Sequence, residues 1–576
     1  MKCSTLTALL GLSLAAATTL PAGELTARMN LTLDRVRHGG PPEYTDAFVL
    51  ADAIPKHERR FTEFSGDVSG RYLGALAIVA QQNDRAMPEL DRIATELLKL
   101  QKPDGHFGDP FSKGAVTKSD MALLWGNGRL LIGLLEYNRL KPSPRIVACA
   151  RKLGDCFVAL GPRLNDPKVL AEFSGDQVAV GYICWTQIIE GLVELNRVTH
   201  DTRYLGLAEE IASNTHRYPK EHSHGFVTAL RGVVELYRET RDTKWLAKAE
   251  TEWDGILASG NLLPYGALPE VFKPMKELRS EGCSEADWLR FNLALWAETR
   301  KLRYLENAEL TLFNEFFFNQ FHTGDFGHHN FTGDGIGHIA ARAWWCCTFH
   351  GLRAFPDVMN SAFHTEAGAL CYDLPVDGEG SVTGLTLRAD AAFGHDATVV
   401  LSVRECDDRE HVLRIRKPAW ASAVEVTLRR QSLAVATNAA MLEIKRRWER
   451  SESLTVTYTL ATRIVTDPQH YGRVAFRHGP WFLGVNEEDS PTFFDEPYQL
   501  NRVILPVATN GIVQLKPATD RFTHRGPFVA SVAHLTLPYL PGGYPCQPQT
   551  ITLRPIAEHT NLGDTTPWAL WFEPKK

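Results

Sequence analysis

Apolar residues recur at helical spacing through most of the first 362 residues. Residues 67–82 read DVSGRYLGALAIVAQQ, and comparable patterns cover 87–100, 119–138 and 145–160. Apolar positions that repeat every three or four residues predict helices that bury one face. The turn sequence KPDG at 102–105 separates the first two of these segments from the next two. Roughly eleven or twelve helical segments are predicted before residue 362.

Three of the helical segments form an internal repeat. Residues 190–211 read EGLVELNRVTHDTRYLGLAEEI, and residues 231–252 read RGVVELYRETRDTKWLAKAETE, in register at an offset of 41 residues. A third copy, LALWAETRKLRYLENAEL, covers residues 293–310. Each copy predicts the end of one helix, a polar turn and the start of the next. Such helical hairpins bury their apolar faces only by stacking in a line or closing in a ring, and the number of segments favours a ring of six pairs.

The pattern changes to a period of two from about residue 367. Alternation is clear at 385–388, 411–416 (HVLRIR), 424–428 and 453–460 (SLTVTYTL). This alternation predicts strands with one buried face. No long helical pattern returns before residue 576, so one or two β-sandwiches are predicted for residues 363–576.

The amino terminus has the pattern of an export signal. Lys2 precedes an apolar run from Leu6 to Leu20, with small residues at Ala15 to Ala17 and at Ala22-Gly23. These features predict a secretory signal peptide at residues 1–23 and a periplasmic or secreted protein. Later apolar stretches are shorter than a membrane span, so no membrane attachment is expected after cleavage. The helical domain is then predicted for residues 24–362.

Composition adds two constraints. The net charge of −6 gives no electrostatic basis for binding nucleic acid, and a chain of 576 residues is long enough for two or three domains. Removal of the signal peptide takes Cys3 and leaves nine of the 10 cysteines. An odd number in an exported protein argues against a fully paired disulfide framework.

The candidate chemistry lies at Glu281-Gly282-Cys283 and at Cys346-Cys347. Zinc binds thiolates and carboxylates tetrahedrally, so these four side chains are a plausible zinc site. Ser284 and Asp287 predict a helix start beside Cys283, where the helix dipole favours a thiolate. A disulfide from Cys283 to one of the pair, or three separate core thiols, are the alternatives.

The sequence EGC at 281–283, followed by WWCC at 344–347, resembles the catalytic module of glycoside hydrolase family 127, the β-L-arabinofuranosidases. The resemblance extends along much of the chain. It includes GRYLGALA at 70–77, LQKPDG at 100–105, YLENAELTLFN at 304–314, LRIRKPAW at 413–420, VAFRHGP at 474–480 and LRPIAEHT at 553–560. It implies an (α/α)6 barrel followed by carboxyl-terminal β-sandwich domains, and a carbohydrate substrate.

The resemblance also implies roles for individual residues. Zinc would be held by Glu281, Cys283, Cys346 and Cys347, with Cys346 as the nucleophile. The family's general acid/base lies in a Glu-x-Phe element, which PEVF at 269–272 matches through Glu270. The interval from Glu270 to Glu281 is shorter than in the family, so Glu277 is the alternative acid/base.

Sugar-binding residues match the family less well. Glu309 corresponds to a family glutamate that contacts the sugar, and His224, His328 and His329 are further candidates for the pocket. Where relatives have a Gly-His pair, this chain has Gly128-Arg129. These differences leave the sugar open.

The function expected from this resemblance is a retaining glycoside hydrolase with a zinc-bound cysteine nucleophile. It would release β-L-arabinofuranose or a related sugar from plant polysaccharide or glycoprotein side chains. The alternatives are a polysaccharide lyase of helical toroid and β-sandwich architecture, and an inactive carbohydrate-binding homologue. The linkage, the aglycone and the oligomeric state do not follow from the sequence.

Overall fold

The structure is a computed structural model of the chain. It describes residues 23–574, apart from residues 55–58, 176–177, 274–278, 334, 394–396, 434–435, 438–439, 468–469, 471, 495–503, 506–515, 518–529, 536–548 and 562.

Helices fill the first part of the chain, as the apolar spacing predicts. Their bounds are α1 Glu24–His38, α2 Asp46–Leu50, α3 Asp67–Asn83, α4 Pro88–Leu100, α5 Lys118–Leu140, α6 Pro144–Leu164, α7 Pro167–Phe173, α8 Ile183–Thr186, α9 Ile189–Thr199, α10 Thr202–Asn214, α11 Ser223–Thr240, α12 Thr243–Ala258, α13 Gly282–Thr299, α14 Leu302–Thr311, α15 Cys347–Asn360 and α16 Pro491–Phe494. The last turn of α14 passes into a π-helical turn, Leu312–Phe316.

The helices form a closed ring of six pairs. In the inner layer, α3, α5, α9, α11, α13 and α15 each pack against the next, and α15 packs against α3. In the outer layer, α4, α6, α10, α12 and α14 each follow and pack on an inner helix, while α1 packs on α15 and completes the sixth pair. The predicted (α/α)6 barrel is therefore confirmed.

The internal repeat corresponds to three consecutive pairs of this ring. Their inner helices α9, α11 and α13 end at His200, Arg241 and Arg300, each in the left-handed conformation that commonly ends a helix. His200 and Arg241 are separated by the 41-residue offset of the repeat, so the same turn recurs at the same repeat position. The inner helices α3, α5, α9, α11 and α13 run in the same direction, because each is followed by an outer helix that returns. The sixth, α15, is parallel to them, since its amino terminus meets that of α13 at Glu281, Cys283, Cys346 and Cys347.

Strands predominate after α15, and one hairpin of two strands precedes it. Their bounds are β1 Gly327–Phe331, β2 Gly335–Arg342, β3 Phe363–Glu366, β4 Ala369–Tyr372, β5 Gly378–Val382, β6 Leu385–Phe393, β7 Ala397–Cys406, β8 Glu410–Arg416, β9 Ala421–Leu428, β10 Gln431–Ser432, β11 Ala436–Thr437, β12 Met441–Arg447, β13 Ser453–Leu460, β14 Thr462–Thr466, β15 Val474–His478, β16 Trp481–Asn486, β17 Ile504–Leu505, β18 Lys516–Pro517, β19 Ala530–Leu535, β20 Gln549–Pro555, β21 Trp568–Ala569 and β22 Glu573–Pro574.

Two sheets directly follow the barrel. One has the strand order β10-β9-β13-β7-β6-β5, and the other has the order β11-β12-β8-β4-β3. Buried positions alternate along β7, β8 and β13, and the buried residues of both sheets belong to one apolar cluster. Two mainly antiparallel sheets that share an apolar interior form a β-sandwich.

A third sheet contains strands that lie far apart in the sequence. Its order is β1-β2-β21-β16-β20-β19-β18, with β15 also joined to β16. The hairpin β1–β2 lies before α15, and its strand β2 pairs with β21 through Gly335 with Ala569 and Ile336 with Trp568. The sequence-based division at residue 362 did not include this hairpin among the strands. Of the described helices, none is long and apolar enough to cross a membrane.

Candidate active site and metal centre

A cavity of about 440 Å³ opens at the end of the ring where the inner helices begin. Asp67 and Arg71 from the first turns of α3, Trp125 of α5 and His224 of α11 line it together with Cys346, which caps α15. Because the inner helices are parallel, their amino-terminal ends meet at one side of the barrel. Residues in or capping five of the six inner helices, α3, α5, α11, α13 and α15, thereby line one concave site.

The four predicted zinc ligands converge beside this cavity. One donor atom each from Glu281, Cys283, Cys346 and Cys347 lies within 4.8 Å of the others. The sulfur of Cys347 lies 3.6 Å from that of Cys283 and 3.5 Å from that of Cys346. Glu281 caps α13 and Cys347 begins α15, so two helix amino termini supply the donors.

This donor set fits zinc. A tetrahedral ion with zinc–sulfur bonds of about 2.3 Å separates its sulfur ligands by about 3.8 Å, close to the observed spacings. The sulfur atoms are too far apart for a disulfide bond, which needs about 2.05 Å, and Cys283, Cys346 and Cys347 are free thiols. Neither the disulfide alternative nor that of three separate core thiols describes this arrangement.

The three thiols differ in exposure and in acidity. Cys346 lines the cavity and is 7% exposed, whereas Cys283 and Cys347 are fully buried. Burial alone would raise the pKa of Cys346, but hydrogen bonds with Cys283 and Cys347 and the charge of Arg71 hold that pKa well below its usual range. Burial raises the pKa of Cys283 and of Cys347. Cys346 is therefore the thiol of this group that faces the cavity and has Cys283, Cys347 and Arg71 as neighbours favouring its thiolate.

Glu281 is held by its own hydrogen bonds. His222 Nε2 lies 3.0 Å from Glu281 Oε2, and the Ser284 hydroxyl donates to the same oxygen at 2.8 Å. Burial disfavours the charged carboxylate, but the His222 charge and hydrogen bond lower the pKa of Glu281 well below its usual range. A ligand carboxylate oriented in this way by outer groups is typical of metal sites.

A second possible donor set, His224 with Cys283 and His350, overlaps the first. Arg129 lies 3.0 Å from His224 Nε2, and because arginine only donates, that nitrogen must accept. His224 Nδ1 lies 2.7 Å from an oxygen of Asp287, within ion-pair distance but without the geometry of a hydrogen bond. His224 therefore lines the cavity with its ring between Arg129 and Asp287.

Glu270 also lines the cavity. Its two carboxylate oxygens accept hydrogen bonds from Arg279, one of them at 2.7 Å from Arg279 Nη2. A carboxylate oxygen of Glu270 lies within 4.8 Å of the possible metal-ligand atoms of His222 and Glu281. The structure thus brings Glu270 to the cavity with Cys346, while the alternative acid/base, Glu277, lies outside the described residues.

The other predicted sugar contacts separate into two groups. His328, on β1, lines the cavity with His224, and its ring lies 6.5 Å from that of Trp345. His329 points the other way and packs against Phe321, with ring centroids 4.8 Å apart.

Glu309 is not brought to the cavity either. It is 1% exposed and forms an ion pair with Arg416 of β8, which joins α14 to the β-sandwich. Its predicted role as a sugar contact stays a prediction, and its position favours a role in joining the barrel to the strands.

Several cavity residues were not identified in the sequence. Asp67 and Arg71 line the cavity and form a buried ion pair at 2.6 Å on α3. A signal was present in the first case, since an acid and an arginine four residues apart interrupt an otherwise apolar helix. Trp345 and Arg60 also line the cavity, and no sequence pattern placed Arg60 near Cys346.

The comparisons with known proteins agree with this geometry. A family model described as the β-L-arabinofuranosidase GH127 catalytic domain matches residues 24–360, and one described as the GH127 middle domain matches residues 376–460. None of the curated proteins matches the chain.

Solved structures show the same fold. A GH127 β-L-arabinofuranosidase from Geobacillus stearothermophilus T6 has a TM-score of 0.72 at 16% identity, covering 96% of this chain and 99% of that one. A GH127 β-arabinofuranosidase has a TM-score of 0.71 at 16% identity, covering 96% of each chain. A structure described as a glycoside hydrolase has a TM-score of 0.65 at 16% identity, covering 90% of this chain and 95% of that one.

Proposed function

Because the chain belongs to glycoside hydrolase family 127 and is a glycosidase, we propose that it is a retaining enzyme with a zinc-held cysteine nucleophile. Its substrate would be a β-L-arabinofuranoside, or a related pentoside, on a plant polysaccharide or glycoprotein. The observation that carries the proposal is the convergence of Glu281, Cys283, Cys346 and Cys347 beside a cavity that Glu270 also lines.

Cys346 is the thiol placed to attack. It faces the cavity, while Cys283 and Cys347 lie behind it with no exposed surface. Zinc would be held by Glu281, Cys283, Cys346 and Cys347. The charge of the zinc ion would keep the bound cysteines deprotonated at neutral pH. A thiolate needs no separate general base before it attacks an anomeric carbon.

Glu270 is the candidate proton donor. In the first step the sulfur of Cys346 would bond to the anomeric carbon while the bond to the leaving oxygen breaks, and Glu270 would give its proton to that oxygen. In the second step Glu270 would take a proton from water, which then releases the sugar from Cys346. Arg279 now contacts both oxygens of Glu270, so the leaving oxygen must displace at least one of these contacts.

The lyase alternative does not use these thiols. Uronate elimination requires a base and a group that neutralises the substrate carboxylate, and it would leave the convergence of three thiols with Glu281 without a role. The zinc-held cysteine explains why all three thiols and Glu281 meet at one point. The predicted signal peptide at residues 1–23 adds the proposal that the enzyme acts outside the cytoplasm.

The test combines metal analysis with a screen of aryl pentofuranosides. We expect about one zinc per chain, and turnover of the β-L-arabinofuranoside above that of the other pentosides. Cys283→Ser should lose both metal and activity, whereas Cys149→Ser, a change at a buried thiol in helix α6, should lose neither. Full activity in metal-free protein would refute the zinc-held cysteine.

A further inference from the structure

Arg60 lies at the mouth of the active-site cavity without a carboxylate partner among the residues that the structure describes. It is exposed, and it lines the cavity that contains Cys346. The other two arginines of the lining are in ion pairs, Arg71 with Asp67 and Arg279 with Glu270. Within the described part of the chain, Arg60 is thus the arginine of the lining whose charge no carboxylate balances.

Two aromatic rings hold this guanidinium in place. The Cζ atom of Arg60 lies 4.6 Å from the ring centroid of Phe61 and 5.8 Å from that of Trp345. The two rings contact each other, with centroids 4.9 Å apart. An arginine stacked on aromatic faces keeps its planar donors free for a ligand and loses little freedom on binding.

The backbone at this position is also unusual. Phe61 has a φ of 66°, in the left-handed region that residues other than glycine rarely adopt. Strained conformations of this kind cluster at ligand-binding sites, where surrounding contacts maintain them. The ring of Phe61 contacts Trp345, and Arg60 directly before it lies beside the same two rings at the cavity.

The position of Trp345 relates Arg60 to the reacting sugar. Trp345 directly precedes Cys346, and its ring centroid lies 4.9 Å from that of Phe61 and 6.5 Å from that of His328. Cys346, Trp345 and Arg60 line one cavity, so a sugar at Cys346 has Trp345 and Arg60 as neighbours within it. The next sugar of the substrate would meet an aromatic face together with a free guanidinium.

We propose that Trp345 and Arg60 form a subsite for a uronic acid, attached to the pentose that reacts at Cys346. Trp345 would carry the apolar face of the uronate ring, and Arg60 would donate two hydrogen bonds to its carboxylate. This inference rests on the proposed function for the position of the reacting sugar. It adds the chemical class of the aglycone, which is an acidic sugar.

The first experiment compares two substrates that differ only in charge. One is a β-L-arabinofuranoside of galacturonic acid, and the other is its neutral methyl ester. We expect wild-type kcat/KM to be about five- to tenfold higher for the acid, the range for a charged hydrogen bond that is partly exposed to water. Arg60→Gln should remove this preference by lowering kcat/KM for the acid to about that for the ester.

Two further variants test the role of the Arg60 guanidinium: one keeps its charge but changes its geometry, and the other is a control at a distant arginine. Arg60→Lys keeps the charge but not the planar pair of donors, so it should retain only part of the preference. Arg404→Gln removes an exposed arginine of β7 and should leave both substrates unchanged. Equal rates of wild type on acid and ester, or equal losses on both in Arg60→Gln, would overturn the subsite.

A binding measurement decides the inference even if neither arabinoside is cleaved. Titration calorimetry with methyl galacturonoside and with its methyl ester needs no turnover. Tighter binding of the acid to wild type, lost in Arg60→Gln, would support the subsite while the absence of turnover counted against the proposed function. Equal binding of the two ligands would overturn the subsite and leave the proposed function standing.

Discussion

Replacing Glu309 by glutamine distinguishes a sugar contact from a contact between regions of the fold. The Glu309 side chain is 2% exposed and that of Arg416 is 3% exposed, so their ion pair is buried. Breaking a buried pair by removing one partner costs roughly 3–5 kcal/mol, because the remaining charge is left without compensation. Arg416 also donates to the backbone oxygen of Asp373, and glutamine still offers an oxygen acceptor. We therefore expect a cost at the low end, about 3 kcal/mol.

The assay is thermal unfolding followed by tryptophan fluorescence, together with kinetics at a temperature where both proteins are folded. For a region of about 200 residues, 3 kcal/mol corresponds to a fall in Tm of roughly 6–12 °C. Glu309→Gln should show this fall with an unchanged KM. The double variant Glu309→Met with Arg416→Met removes both charges and should recover part of the loss. An unchanged Tm with a raised KM would refute the structural role and restore Glu309 as a sugar contact.

Two further predictions follow from the cavity and from the β-sandwich. Glu270→Gln should slow hydrolysis most for pentosides with poor leaving groups, because those need a proton, and an equal loss on activated aryl pentosides would point to another acid. His364 is half-buried; burial alone would lower its pKa, but a hydrogen bond with Asp373 raises the pKa to about 9. Since this folded-state pKa lies above the unfolded value of about 6.5, protonated His364 stabilises the fold below that pH, and the contribution disappears as the pH rises through about 9. His364→Gln should therefore lower Tm clearly at pH 6 and very little at pH 10, and an equal loss at both would show that the charge is not responsible.

The barrel could be predicted because its information is local. The 41-residue repeat gives helix, turn and helix directly, and the left-handed caps at His200 and Arg241 fall at equivalent positions of two copies. The hairpin β1–β2 could not be predicted in the same way. Its strand β1 reads GHHNF, without apolar alternation, and β2 pairs with β21 near residue 569, more than 200 residues away. Such a strand forms because of its distant partner and not because of its own pattern.

Part of the candidate site could likewise be predicted from the sequence, and part could not. Glu281, Cys283, Cys346 and Cys347 could be predicted as a group because few roles explain buried thiols with one carboxylate, and the family resemblance supplied the pairing. The sequence did not show which face of its element each remaining residue occupies. His328 and His329 are neighbours on a strand and so point to opposite faces, of which one lines the cavity. Glu309 lies on the face of α14 that meets Arg416, a partner 107 residues later in the chain.

The central claim is that Cys346 attacks the sugar. Its most direct test is peptide mass spectrometry of the protein after reaction with a mechanism-based inactivator built on the arabinofuranose ring. The account predicts one sugar label per chain, on Cys346, because this thiol faces the cavity and Cys347 does not. A label on Cys347 would reverse the two roles, and a label on Glu270 would contradict the cysteine mechanism altogether.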